Sequence, residues 1–132
     1  MKASIFGFLV LCIACANSPF ARQVSKPEQK VIRGWLSDEG CAKERASSGK
    51  FTGTTPECAK RCVAEGKKIV LIDPDQKRVL EITNQDAAKN NIGDYVEVTG
   101  DINSQTKVLH IDTLKMLEPG RAMCEAPRRK KS

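Results

Sequence analysis

The cysteines are the residues of this chain with the most chemistry to offer. Cys58 and Cys62 stand four apart in PECAKRCVAEG (residues 56–66). Cys41 lies upstream in SDEGC, Cys124 near the C-terminus, and Cys12 and Cys15 in an apolar N-terminal run. Such a set offers three chemistries: a disulfide framework, a soft-metal site or a redox pair. Thiolates suit Cu(I) or zinc, and Cys41, Cys58 and Cys62 would take His110, Met116, Met123 or Cys124 as a fourth ligand. The spacing is not a CxxC pair, and His110 is the only histidine. No thioredoxin-like context surrounds the pair either. The expectation is therefore disulfide staples, with no metal and no cofactor, and a thiolate copper or zinc protein as the rival reading.

The N-terminus decides between these through compartment. Met1-Lys2 is followed by the uncharged run ASIFGFLVLCIACA, which ends in Ala14-Cys15-Ala16. This fits a secretory signal with a small-x-small cleavage site after residue 16. The run is too short for a span, which needs about 20 apolar residues. A lipid-anchored form through Cys15 fits less well, because CIA does not begin with an aliphatic residue. Secretion or a periplasmic location leaves Cys41, Cys58, Cys62 and Cys124, an even number in an oxidising compartment. A bridge from Cys41 to one of the helix cysteines would pin the intervening loop for roughly 3 kcal/mol on chain-entropy grounds. The other would hold Cys124. All three pairings remain open.

The charge excludes some functions. The chain carries +6, yet residues 31–118 hold 13 Lys/Arg against 14 Asp/Glu. The excess sits in the tails, above all in Arg128, Arg129, Lys130 and Lys131, where it suits weak contact with an anionic surface. A lone histidine among scattered Ser and Asp residues is no triad. Asp38 and Glu39, and Asp73 and Asp75 around Pro74, read as polar turns, and DPDQ lacks the further oxygens calcium needs. No catalytic residue is expected.

The pattern between the tails gives the frame. Residues 17–30, with two prolines, read as a linker, residues 31–118 as one domain and residues 119–132 as a basic tail. KVIRGWLSD alternates as a strand, with Gly34 marking a bulge or bend. Residues 37–55 read as a polar excursion. Thr55, Pro56 and Glu57 start a helix that Gly66 ends. KKIVLIDP and KRVLEIT flank the turn PDQ as a hairpin. Thr83 and Asp86 resemble a capping box that opens a helix ending at Gly93. DYVEVTGDI and KVLHIDTLKML are the last two strands.

This order predicts a mainly β fold. The expected form is a five-stranded OB-like Greek-key barrel. A short Cys-bearing helix is inserted after the first strand, and another helix lies between the third and fourth. IGDYVEVTGDINSQTKVLHIDTLKML is similar to the last two strands of bacterial OB-fold proteins. GWLSDEGC, CAKRCVAEGKKIVLID and VLEIT resemble a family of small secreted bacterial proteins labelled only as a domain of unknown function. The resemblance, over residues 31–118, implies an OB-like fold and no assigned activity. Single-strand binders stack bases on aromatics in a basic groove. IVLID and RVLEIT hold no aromatic residue and the domain is near neutral, so nucleic acid is disfavoured. Trp35 and Tyr95 are the candidate platform for a protein, peptide or saccharide ligand. The sum is an exported, disulfide-stapled binding or structural module of a bacterial envelope.

Overall fold

The computed structural model describes residues 27–121. The expected signal and most of the linker, Met123, Cys124 and the basic run 128–131 lie outside the described residues. Five strands, β1 (Glu28–Asp38), β2 (Ile69–Asp73), β3 (Arg78–Ile82), β4 (Tyr95–Asn103) and β5 (Val108–Glu118), close into a barrel in the order β1-β2-β3-β5-β4. All neighbours are antiparallel except β3 and β5, which run parallel through Glu81↔Val108 and Ile82↔Leu109. The expected mainly β, five-stranded barrel is present. β1 starts at Glu28, inside the segment read as linker, because Glu28, Gln29 and Lys30 pair with Ile102, Asp101 and Gly100 of β4. A backbone ladder needs no apolar side chains to extend.

Alternation builds the inner core. Val96, Val98 and Ile102 of β4 point inward and meet Ile32, Leu36, Leu71, Leu80, Ile82, Leu109 and Ile111. Each such side chain contributes about 1.5–3 kcal/mol by leaving water. A smaller outer core lies on the far face of the sheet, where Val70 and Ile72 pack with Ala42, Trp35, Phe51 and Val79. β2 is therefore buried at all five positions.

Two helices join β1 to β2. α2 (Pro56–Ala64) is the one expected; Pro56 fills its first turn and Ala59 is buried in the inner core, although the Thr55 hydroxyl makes no cap bond. α1 (Glu39–Ser47) replaces part of the polar excursion. It buries only Ala42, so it shows no apolar stripe from which to read it. Its origin is local: the Asp38 carboxylate caps it and Glu39 occupies the first turn, and Lys43 pairs with Glu39 at 3.2 Å.

Gly34 answers to a close approach. The β1–β4 register runs through it unbroken, and a Cβ there would sit 2.2 Å from the Ile72 carbonyl oxygen. The sheet's irregularities instead fall on the β4–β5 pair, where β5 carries one extra residue opposite the Tyr95–Val96 step and one opposite the Thr99–Gly100 step of β4. The expected helix at residues 83–93 is two short 3-10 turns, Gln85–Ala87 and Lys89–Asn91. The Thr83 hydroxyl lies 3.4 Å from the Leu109 carbonyl and 2.9 Å from His110 Nδ1, and so does not cap. The next two side chains act as strand backbone. The Asn84 amide exchanges two bonds with Ile111, at 2.7 and 2.9 Å. Gln85 does the same with Ile69, at 2.7 and 2.9 Å. Both fasten the segment to the sheet and draw it out of a regular helix. Among the described residues no helix is long and apolar enough to cross a membrane.

Candidate functional site

Two places combine polar chemistry with geometry. The first is at the start of α1. Asp38, Cys41 and Cys62 present a carboxylate oxygen and two sulfurs, all within 4.8 Å of one another. α1 supplies Cys41 three residues after its cap, and the last turn of α2 supplies Cys62. Asp38 is 1% exposed. Its Oδ2 accepts from the Cys41 backbone N–H at 2.9 Å, while among the described residues Oδ1 has no partner. Burial, then the thiol's own contact with the Asp38 carboxylate and that group's charge, then Cys62, push the Cys41 thiol up to about 11. It stays protonated at neutral pH and is a poor nucleophile.

Cys41, Cys58 and Cys62 are free thiols. The expected staple between Cys41 and a helix cysteine is not formed, and it is Cys62, one turn past Cys58, that faces Cys41. The loop is placed without a bridge. Ser37 and Thr54 share a buried 2.6 Å hydrogen bond. The Glu39 N–H donates to the Lys68 carbonyl at 2.9 Å, and Arg45 donates to the Thr52 hydroxyl at 2.6 Å. Cys58 is exposed, 3.9 Å from the Arg61 guanidinium. His110, on β5, bonds Thr83 just after β3, and Met116 is 49% exposed; neither joins the cluster. Asp38, which reads as an ordinary turn residue, is the member sequence reasoning missed. An Asp three residues before a Cys and just before Glu-Gly was the available signal.

The second place is a groove of about 380 Å³ between α1 and the β2–β3 hairpin. Phe51, Val70 and Val79 give it an apolar lining, and Lys43, Lys77, Arg78 and Lys107 stand around it with Glu39 and Glu81; Glu39 is paired with Lys43 and Glu81 with Lys68. Lys77 and Lys107 occupy equivalent positions in two alike turns. Asp73 Oδ1 accepts from the N–H groups of Asp75 and Gln76, and Asn103 Oδ1 from those of Gln105 and Thr106, each at 3.1 Å. Each lysine follows with a left-handed backbone, at φ +49° and +57°. That conformation costs an L-residue roughly 1–2 kcal/mol and usually falls to glycine or asparagine. Among the described residues neither lysine is in an ion pair, whereas Lys43 pairs with Glu39 and Arg78 with Asp73. The legible trace was an Asp or Asn followed four residues later by Lys, between two strands. Asp73 has no oxygen to spare for calcium, since Oδ2 holds Arg78 at 3.0 Å.

Trp35 and Tyr95 do meet, as a β1–β4 pair with ring centroids 4.9 Å apart. Gly53 lies on the indole so closely that a Cβ there would come within 2.6 Å of it. The pair is thus half-buried under the loop that follows α1. A wider polar hollow of about 620 Å³ includes Lys30, Arg33, Asp73 and Arg78, but its cations are already paired with Glu28, Glu97 and Asp73. No protein-family model, curated protein or solved structure matches this chain.

Proposed function

We propose that this protein is an exported, non-catalytic binding module of a bacterial envelope. Its OB-like barrel would hold a peptide segment that joins an apolar side chain to a carboxylate. The observation that carries this reading is the groove: an apolar lining of Phe51, Val70 and Val79 beside two lysines that have no ion pair among the described residues and are held at strained backbone positions. Strain of this kind concentrates where a side chain serves a ligand. The strand order with its parallel β3–β5 contact supports the OB-like reading, and in such barrels the second and third strands are a common ligand face. The signal-like N-terminal run, Met1-Lys2 followed by an uncharged apolar stretch, supports export.

The probe is 8-anilinonaphthalene-1-sulfonate, an apolar ring system bearing one anion. Titration of the full chain should raise its fluorescence and shift the amide resonances of Phe51, Val79 and Lys107. Reversing both charges, Lys77→Glu with Lys107→Glu, should weaken binding about tenfold, at roughly 0.5–1 kcal/mol per exposed contact. Binding that ignores the double reversal, or shifts confined to other faces, overturns the reading.

A further inference from the structure

We propose that Asp38, Cys41 and Cys62 form a binding site for a thiophilic divalent cation of the Zn²⁺ class, with a fourth position open to water or to an external donor. Two independent observations point there. The three donor atoms already lie within 4.8 Å of one another, although they come from the end of β1, the first turn of α1 and the last turn of α2. Tetrahedral zinc with sulfur at about 2.3 Å and oxygen at about 2.0 Å needs donors about 3.3–3.8 Å apart. Rotamer adjustments of about 1 Å close the gap. Asp38, in turn, is 1% exposed and its Oδ1 has no partner among the described residues. A buried carboxylate oxygen left unbonded is costly, and a cation at the cluster satisfies it.

The donor set selects the ion. Two thiols and one carboxylate suit zinc, whereas calcium and magnesium take oxygen alone. Binding is a proton exchange: Zn²⁺ displaces one proton from each thiol, two protons go to solvent, and the bound group carries net −1. No electron moves. The backbone prepares the site, because the Cys41 N–H holds Oδ2 at 2.9 Å and so fixes the carboxylate. Gly40 leaves room, since a Cβ there would come within 3.2 Å of that same Oδ2. A Cys41–Cys62 disulfide is the competing fate of these sulfurs. It requires a two-electron oxidant and leaves the Asp38 oxygen unsatisfied.

The test uses the full-length chain, reduced and kept under argon, titrated with Co²⁺ as a spectroscopic stand-in and then with Zn²⁺ against a chromophoric chelator. One equivalent should bind with the sulfur-to-cobalt absorption of two thiolates and the visible bands of a tetrahedral ion. Cobalt binding should release two protons, and Zn²⁺ should then displace the cobalt with no further proton release. Cys41→Ser and Cys62→Ser should each weaken zinc binding by more than about a hundredfold. Asp38→Asn keeps the helix cap and should weaken it at least about tenfold. Cys58→Ser should change nothing. Circular dichroism shows whether each variant is folded before it is scored. Tight binding that survives Cys62→Ser, thiolate bands that need Cys58, or a reduced wild type that binds no metal each overturns the proposal. The groove reading does not depend on this result, because the sulfonate titration is run on metal-free protein.

Discussion

Lys77 and Lys107 set stability against binding, and Lys77→Gly and Lys107→Gly measure the exchange. Both lysines have left-handed backbones, at φ +49° and +57°. Glycine removes a native-state penalty of roughly 1–2 kcal/mol at such a position. It also gives the unfolded chain more freedom, which returns about 0.4–1 kcal/mol. The two turns belong to separate hairpins and share no hydrogen bond, so their effects should add. Each variant should gain about 0.5–1 kcal/mol and the pair about 1–2. Urea denaturation followed by Trp35 fluorescence reads this as a higher midpoint at unchanged slope. The same double variant should lose most of its anilinonaphthalene sulfonate binding, since both ammonium groups leave the groove. A pair of glycines that destabilises the fold would refute the strain argument. A pair that stabilises it and binds the probe as before would show that the strain serves something other than this groove.

Three further outcomes follow from the described contacts. In reduced, metal-free protein the Cys41 thiol rises from 9.0 to about 11 on folding. Its contribution to stability is intact below about pH 9 and is lost as pH rises through 11, because the unfolded chain gives up its proton first. Wild type should therefore lose stability more steeply than Cys41→Ser over that interval, and parallel urea midpoints would contradict the assignment. Asp73→Ala should cost about 2–3 kcal/mol in chemical denaturation, since it strands two turn amides and Arg78 at once; Asp73→Asn, which keeps an acceptor for the turn, should cost less. A double-mutant cycle of Ser37→Ala with Thr54→Val should give a coupling of about 1 kcal/mol for their buried hydrogen bond, and a coupling near zero would mean that the loop after α1 is held by its apolar contacts alone.

The strands were legible because their side chains alternate between a core and something else, and α2 because Pro56 and Glu57 mark its start. α1 was not, since a helix that buries one alanine carries no periodic signal; only the Asp38 cap betrays it. The segment after β3 looked helical from Thr83 and Asp86. Its sequence could not show that Asn84 and Gln85 would spend their amides on Ile111 and Ile69. The cysteines were legible as a group and not as a geometry. A four-residue spacing says that Cys58 and Cys62 share a helix face, but it does not say which of them meets Cys41. Asp38 was hidden for a different reason. Carboxylates in sequence look solvated by default, and burial of this one follows from its place where β1 ends against α1 and the β2 strand.

β1 has a consequence for the order in which the molecule can assemble. It is the first strand of the chain, and its longer half pairs with β4, from Trp35↔Tyr95 to Glu28↔Ile102. Those partners are 60 to 74 residues apart in sequence. The β2–β3 and β4–β5 hairpins close over a handful of residues each and form without it. Bringing distant segments together carries a larger loop-closure cost and slows folding. The seam between β1 and β4 should thus close late. Before it shuts, the chain carries Val31 and Ile32 on an unpaired stretch of β1, and any partner that captures this segment competes directly with the completion of the barrel.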